Sequence, residues 1–309
     1  MSPSSPTPLP GAETPTYGRP QPGVSARSGG VGDDGVVLGG GERVVLDDIE
    51  ARPGSTTSLL RTLIGLYLRP LGGRISSAAL VRLAGDLGIP AARARTAITR
   101  LKQRGLLIAT ADAGYALNPA ALPMLERGDR RIFSVRTMAA GDEWMLVSAT
   151  IPETRRDLRH QLRRRLQFLG AGAVTAGLWI LPGHLAGEVD QLLAELDARS
   201  YATLFRTSDP MPAEPLPDAA ARWWDLEALR AEHERFLASL VDLDRAEPFA
   251  AYVRLIDSWR VLPYVDPGLP ASLLPEDWPG ERSVQEFERL SSALTSQALA
   301  HARGAVGRS

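Results

Sequence analysis

Eight side chains on one short stretch carry the most legible chemistry in this chain. Arg93, Arg95, Thr96, Thr99, Arg100, Lys102, Gln103 and Arg104 lie between Pro90 and Gly105, with no acidic residue among them. Arginine and lysine neutralise phosphate, and arginine, threonine and glutamine hydrogen-bond the edges of bases. A helix that merely faces solvent usually mixes both signs of charge at i,i+4. A one-signed face interleaved with Thr and Gln therefore points to double-stranded DNA, against the plainer reading of a basic surface helix. Ser76 or Ser77 can add a phosphate contact from a helix start. A second cationic row, Arg155, Arg159 and Arg163, has i, i+4, i+8 spacing and also suits phosphate. Its plainer reading is a solvated face partly paired with Glu153 and Asp157. Trp259 and Arg260 form the third group. They either pack in a core, with Arg260 tied to Asp257 or Asp266, or wall a ligand pocket.

The elements that must hold these residues can be read from spacing. Ala94, Ala97, Ile98 and Leu101 make one apolar stripe, so residues 90–105 form a helix. Pro90 suits its first turn and Gly105 its left-handed cap. Upstream, Leu59, Leu60, Leu63, Leu66 and Tyr67 mark a helix stopped by Pro70 and Gly72-Gly73. Ser76 or Ser77 then caps a helix burying Leu80, Leu83, Ala84 and Leu87. Downstream, Leu106-Leu107-Ile108 and Tyr115-Ala116-Leu117 flank a polar tip at Asp112-Ala113-Gly114, which is a β-hairpin. The whole, residues 57–132, reads as a winged helix-turn-helix DNA-binding domain. Its wing tip has no Arg or Lys, which argues against a strong phosphate contact there. A further helix is expected from Asn118 to Arg127, followed by a basic linker at Gly128–Arg131.

The rest of the chain divides by pattern. Residues 1–56 are rich in Pro, Gly, Ser and Thr and are expected to be disordered. Residues 133–209 read as strand 145–151, helix from Pro152, strand 173–181, helix 186–198 and strand 201–207. An additional strand is possible, and the order suggests a ferredoxin-like α+β domain. A Pro-rich linker covers 210–222. Residues 223–303 read as a helical domain for dimerisation and effector binding, with a last helix from Gln285 to Ala302, and 304–309 as a frayed tail. The expected fold class is thus multidomain α+β.

Composition narrows the function. The absence of cysteine excludes disulfides, cysteine nucleophiles and thiolate metal sites, and fits a reducing, cytoplasmic setting. The four histidines have no metal-ligand spacing, and no apolar run has the length of a membrane span. The net charge of -1 hides an asymmetry. Residues 57–132 hold 12 basic against 4 acidic side chains, net +8, and residues 213–309 hold 10 against 16, net -6. A basic lobe on a near-neutral chain marks a localised polyanion site.

Several motifs occur together: Gly177-Leu178-Trp179-Ile180, Asp257-Ser258-Trp259-Arg260, Asp266-Pro267-Gly268-Leu269-Pro270, Leu273-Leu274-Pro275 and Trp278-Pro279-Gly280. In this order they resemble the PaaX-type transcriptional regulators, over roughly Thr57 to His301. The resemblance implies a cytoplasmic homodimeric repressor of a phenylacetate-type catabolic operon. It would need no cofactor, and an aryl-CoA thioester such as phenylacetyl-CoA would release it from its DNA operator. On that reading Arg155, Arg159 and Arg163 are candidates for the ADP end of the ester, and Trp259 and Arg260 for its acyl end. The middle domain also resembles the ferredoxin-like nuclease subunit of CRISPR spacer-acquisition complexes. There an Asp before an Ile-Pro pair binds metal, but here Thr150 precedes Ile151-Pro152, and a hydroxyl is a poor ligand for a hard cation. An enzyme is therefore not expected. The alternatives are a metal-dependent nuclease-like enzyme and a non-catalytic scaffold for protein partners.

Overall fold

The computed structural model describes residues 52–139 and 141–307, so most of the head expected to be disordered lies outside the described residues. The chain is a multidomain α+β protein with a helical C-terminal part. Its first lobe contains α1 (Thr56–Tyr67), β1 (Arg74–Ser76), α2 (Ser77–Asp86), α3 (Ala91–Gln103), β2 (Leu107–Ala109), β3 (Gly114–Leu117) and α4 (Leu122–Phe133). Ser55 caps α1 by accepting from the Ser58 amide at 3.3 Å, and Ser76 caps α2 by accepting from the Ala79 amide at 3.1 Å. The three strands pair antiparallel in the order β1-β3-β2. Strand β1 was not legible, because three residues show no period. The basic linker expected at Gly128–Arg131 is instead part of α4. Gly128 does not break this helix because it is buried within it, and Arg131 is held by Glu188 at 2.9 Å and the Pro263 carbonyl at 2.7 Å.

The second lobe runs β4 (Trp144–Ala149), α5 (Arg156–Phe168), β5 (Gly172–Thr175), β6 (Leu178–Pro182), α6 (Ala186–Glu195) and β7 (Ala202–Thr207). All neighbouring strands are antiparallel, in the order β5-β6-β4-β7. The single strand expected over 173–181 is a hairpin of two strands, bent at Ala176-Gly177. Both halves are apolar, and the turn glycine gave the only sign of the bend. Helices α5 and α6 bury Leu158, Leu162, Leu166, Val189 and Leu193 against the sheet.

The C-terminal part holds α7 (Leu216–Trp223), α8 (Leu226–Ser239), α9 (Pro248–Trp259), the single turn α10 (Leu262–Val265) and α11 (Gly280–Val306). Helix α7 falls inside the stretch read as linker. Pro215 and Pro217 sit at its start, where proline is tolerated, and Ala219 and Ala220 are fully buried. Helix α11 continues to Val306, into the residues read as a frayed tail, because Ala302 and Ala305 are buried and the Ala305 carbonyl accepts from Arg82 on α2 at 2.8 Å. One hydrophobic core takes in both ends of the described chain. Leu60, Leu63 and Ile64 of α1 and Leu80 and Leu83 of α2 share it with Phe249, Val253 and Ile256 of α9 and Phe287 and Ala302 of α11. Most of the large apolar side chains of the helical part, read as a domain for dimerisation and effector binding, pack into this core. Among the described residues from 223 onward, Val241 is the one strongly exposed large aliphatic side chain.

Candidate nucleic-acid interface

Helix α3 is stopped by geometry its sequence dictates. Gly105 takes φ +79°, its amide donates to the Lys102 carbonyl, and the Leu106 amide reaches back to the Leu101 carbonyl, both at 3.0 Å. This paired closure satisfies the last carbonyls of the helix. The turn before α3 closes in the same way around Gly88, with φ +78° and the Ile89 amide on the Ala84 carbonyl at 3.0 Å. Pro90 lies one residue before the helix rather than within its first turn. Ala94, Ala97, Ile98 and Leu101 face the core, as their spacing requires. Arg93, Arg95, Thr96, Thr99, Arg100, Lys102, Gln103 and Arg104 are all exposed.

Arg93, Arg95, Arg100 and Lys102 make no ion pair among the described residues. Their charge is thus available to a polyanion. The Thr96 and Thr99 hydroxyls donate to the Ala92 and Arg95 carbonyls at 3.1 and 3.0 Å. Each therefore meets a partner through its remaining acceptor capacity. A groove beside the helix is lined by Arg93, Thr96 and Arg100 together with Thr56 and Thr57 of α1. Sequence reasoning missed those two threonines; the signal was their place in the first turn of a helix that packs on α3. Ser76 turns inward to cap α2, and both it and Ser77 are only half-exposed. At the hairpin tip, Thr110 donates to Asp112, and that hydrogen bond holds the Asp112 carboxyl below the usual range. A carboxylate at this tip repels phosphate.

A buried polar node joins α1 to α9. Asp257 on α9 accepts from the Gly54 amide at 2.7 Å, the Ser58 hydroxyl at 2.5 Å, the Thr62 hydroxyl at 2.8 Å and Arg260 Nε at 3.3 Å. Arg260 also donates to Ser58 Oγ at 2.8 Å. Arg61 is buried nearby, and desolvation together with the Arg260 charge lowers its guanidinium to about 9, still protonated at neutral pH. The node links the first lobe to the helical part. Its signal was present in Ser58 and Thr62, polar residues four apart on a helix that is otherwise buried.

The candidate effector residues are not brought together. Arg155 belongs to a 3-10 turn ahead of α5, so the i, i+4, i+8 row is broken at its first member. It lies over the Tyr201 ring at 5.8 Å. Arg159 is doubly paired with Glu153 at 2.6 and 3.0 Å, and that pair raises the Arg159 guanidinium and lowers the Glu153 carboxyl. Arg163 is exposed. Trp259 is 1% exposed, stacks on Phe287 at 4.5 Å and donates to the Ile132 carbonyl at 3.0 Å. Arg260 belongs to the node and does not line a pocket with Trp259.

The chain thus carries a basic exposed helix on its first lobe, a β-α-β-β-α-β middle lobe and a helical C-terminal part. Three family models match in sequence: "PaaX-like protein" over residues 55–120, "PaaX protein central Cas2-like domain" over 137–218 and "PaaX-like protein C-terminal domain" over 224–304. The chain belongs to the PaaX family of transcriptional regulators. It is 28% identical over 271 residues to the transcriptional repressor PaaX of Escherichia coli strain K12, an alignment spanning 82% of this chain and 84% of that one. It is also similar to the solved structure of the uncharacterized protein Rv0674 from Mycobacterium tuberculosis. There the TM-score is 0.55 at 26% identity, covering 82% of this chain and all of that one.

Proposed function

We propose that this protein is a ligand-released repressor of a phenylacetate-type catabolic operon. It reads DNA through a winged helix-turn-helix formed by α1–α3 and the β2–β3 hairpin. The observation that carries this reading is the exposed, one-signed face of α3, whose four cations lack ion-pair partners among the described residues. The similarity to a transcriptional repressor in Escherichia coli supports it. The strand order of the middle lobe supports a ferredoxin-like unit there. We assign that lobe no catalytic step, because Thr150 stands where the related nucleases need a carboxylate. The repressor acts as a dimer, because one recognition helix covers only a half-site and a two-fold axis matches a palindromic operator. An aryl-CoA thioester releases it by binding the DNA-incompetent arrangement more tightly.

On this reading, Arg100 contacts a base edge from the last turn of the helix, and Arg100→Ala costs about 1–3 kcal/mol of operator affinity while relaxing preference at one base pair. Lys102 contacts phosphate. Lys102→Ala weakens operator and random duplexes alike and lowers the slope of log affinity on log salt by about 0.9. Fluorescence anisotropy with both duplexes over a salt series separates the two effects. Equal losses on both duplexes for both variants would refute the division of roles. Light scattering that finds only monomer, free and on DNA, would refute the dimer.

A further inference from the structure

The motifs that mark this chain surround a void. A cavity of about 600 Å³ lies where α8, the loop after α10 and the start of α11 meet, with the segment joining α4 to β4 at its edge. Trp259, Gly268, Leu274 and Trp278 all line it, so four of the motif segments converge there. That size falls within the range of small-molecule sites, which are mostly apolar with a few fixed polar groups. The fixed group here is His233, 1% exposed, whose Nε2 lies 2.8 Å from Asp266 Oδ2. Asp266 is itself held by the Gly268 amide at 2.8 Å. His233 Nδ1 is buried without a hydrogen-bond partner among the described residues. A buried polar atom left unpaired is uncommon in a folded protein and has acceptor or donor capacity to offer a further group.

The charges around the cavity restrict what enters. Asp266, Glu276 and Glu281 line it, and among the described residues no Arg or Lys does. An anion such as a free carboxylate or an ADP phosphate meets three carboxylates there, whereas an uncharged aromatic group meets two indole rings and aliphatic walls. We infer that this cavity takes the uncharged aromatic acyl group of the effector and rejects the corresponding free acid. This rests on the reading of the protein as an ester-released repressor and places the acyl end away from Arg155, Arg159 and Arg163, none of which lines the cavity. The location also suits a switch. Trp259 lies at the cavity, and Asp257 and Arg260, its near neighbours on the chain, hold α1.

The test uses the full chain, with calorimetry and operator release measured for phenylacetyl-CoA, methyl phenylacetate and phenylacetate. Wild type is expected to bind both esters and to bind phenylacetate at least tenfold more weakly than methyl phenylacetate. Val284→Trp, which fills the cavity from the start of α11, is expected to lose at least tenfold in affinity for both esters while its operator binding without ester confirms folding. Glu276→Gln with Glu281→Gln, which alters charge without filling space, is expected to narrow the gap between ester and acid. If the filled variant binds both esters within twofold of wild type, or if wild type binds the acid as well as the methyl ester, the cavity assignment is overturned. If methyl phenylacetate binds wild type but not the filled variant, and phenylacetyl-CoA does not bind at all, the cavity stands and the CoA-ester reading fails. If neither ester binds wild type, the cavity assignment also falls.

Discussion

Asp257→Ala is expected to lower stability by about 3–5 kcal/mol, the range for breaking a buried, hydrogen-bonded ion pair from one side. Asp257 is 1% exposed and accepts from four groups, so its loss strands the Ser58 and Thr62 hydroxyls and leaves Arg260 buried beside Arg61. Two cations then share an interior that held one carboxylate. Urea unfolding of the full chain measures the effect. A loss below about 1 kcal/mol would mean that the node is screened like a surface pair. Asp257→Asn combined with Arg260→Met removes both charges while keeping shape, and much of the stability should return. Because α1 carries Ser58 and packs on α3, operator affinity should fall in Asp257→Ala even at temperatures where the chain remains folded.

Gly268→Ala is the second large expected loss, about 2–4 kcal/mol. Gly268 sits at φ +70°, and a Cβ there would come within 2.2 Å of the Arg136 carbonyl oxygen and 3.0 Å of Thr137 Cα. Both are backbone, so neither can swing aside. The same residue accepts from the Met138 amide at 2.8 Å, a bond that fixes the segment joining the first two lobes. Gly88→Ala provides the contrast. Its φ is +78°, but no described residue other than its chain neighbours lies within 4 Å of the added Cβ, so only the left-handed penalty of roughly 1–2 kcal/mol applies. Thermal unfolding of the two variants, with Gly268→Asn as a third, separates the causes. Asparagine tolerates the left-handed conformation but still carries a Cβ. If Gly268→Asn is as stable as wild type, the clash is not the cause.

These residues show where the sequence was readable. The α3 face was plain because a helical period and a one-signed charge pattern coincide in thirteen consecutive residues. The node was half visible. Arg260 and Asp257 are neighbours on one helix turn, but nothing local says that Ser58, about two hundred positions away, completes their shell. The cavity was illegible as a cavity. His233 and Asp266 lie in separate elements, and a void is a property of packing rather than of any segment. The motif glycines and prolines around it were visible, but their purpose depends on what they approach, as Gly268 does with Arg136. The errors at Gly128, at residues 216–222 and beyond Gly304 share one cause. Each placed a helix end at a breaker residue, and tertiary burial carried or started the helix regardless.

The common core of α1, α2, α9 and α11 bears on how such a chain can be cut or recombined. A fragment ending near residue 132 would keep α3 but uncover the sides of α1 and α2 that Phe249, Val253 and Ala302 now cover. Such a piece would be sticky in solution and poorly ordered. A chimera that borrowed only a relative's first lobe would have to match a foreign α9 and α11 side chain by side chain. The first lobe in this architecture is therefore inherited together with the far end of the polypeptide, and the two ends are constrained to change in concert.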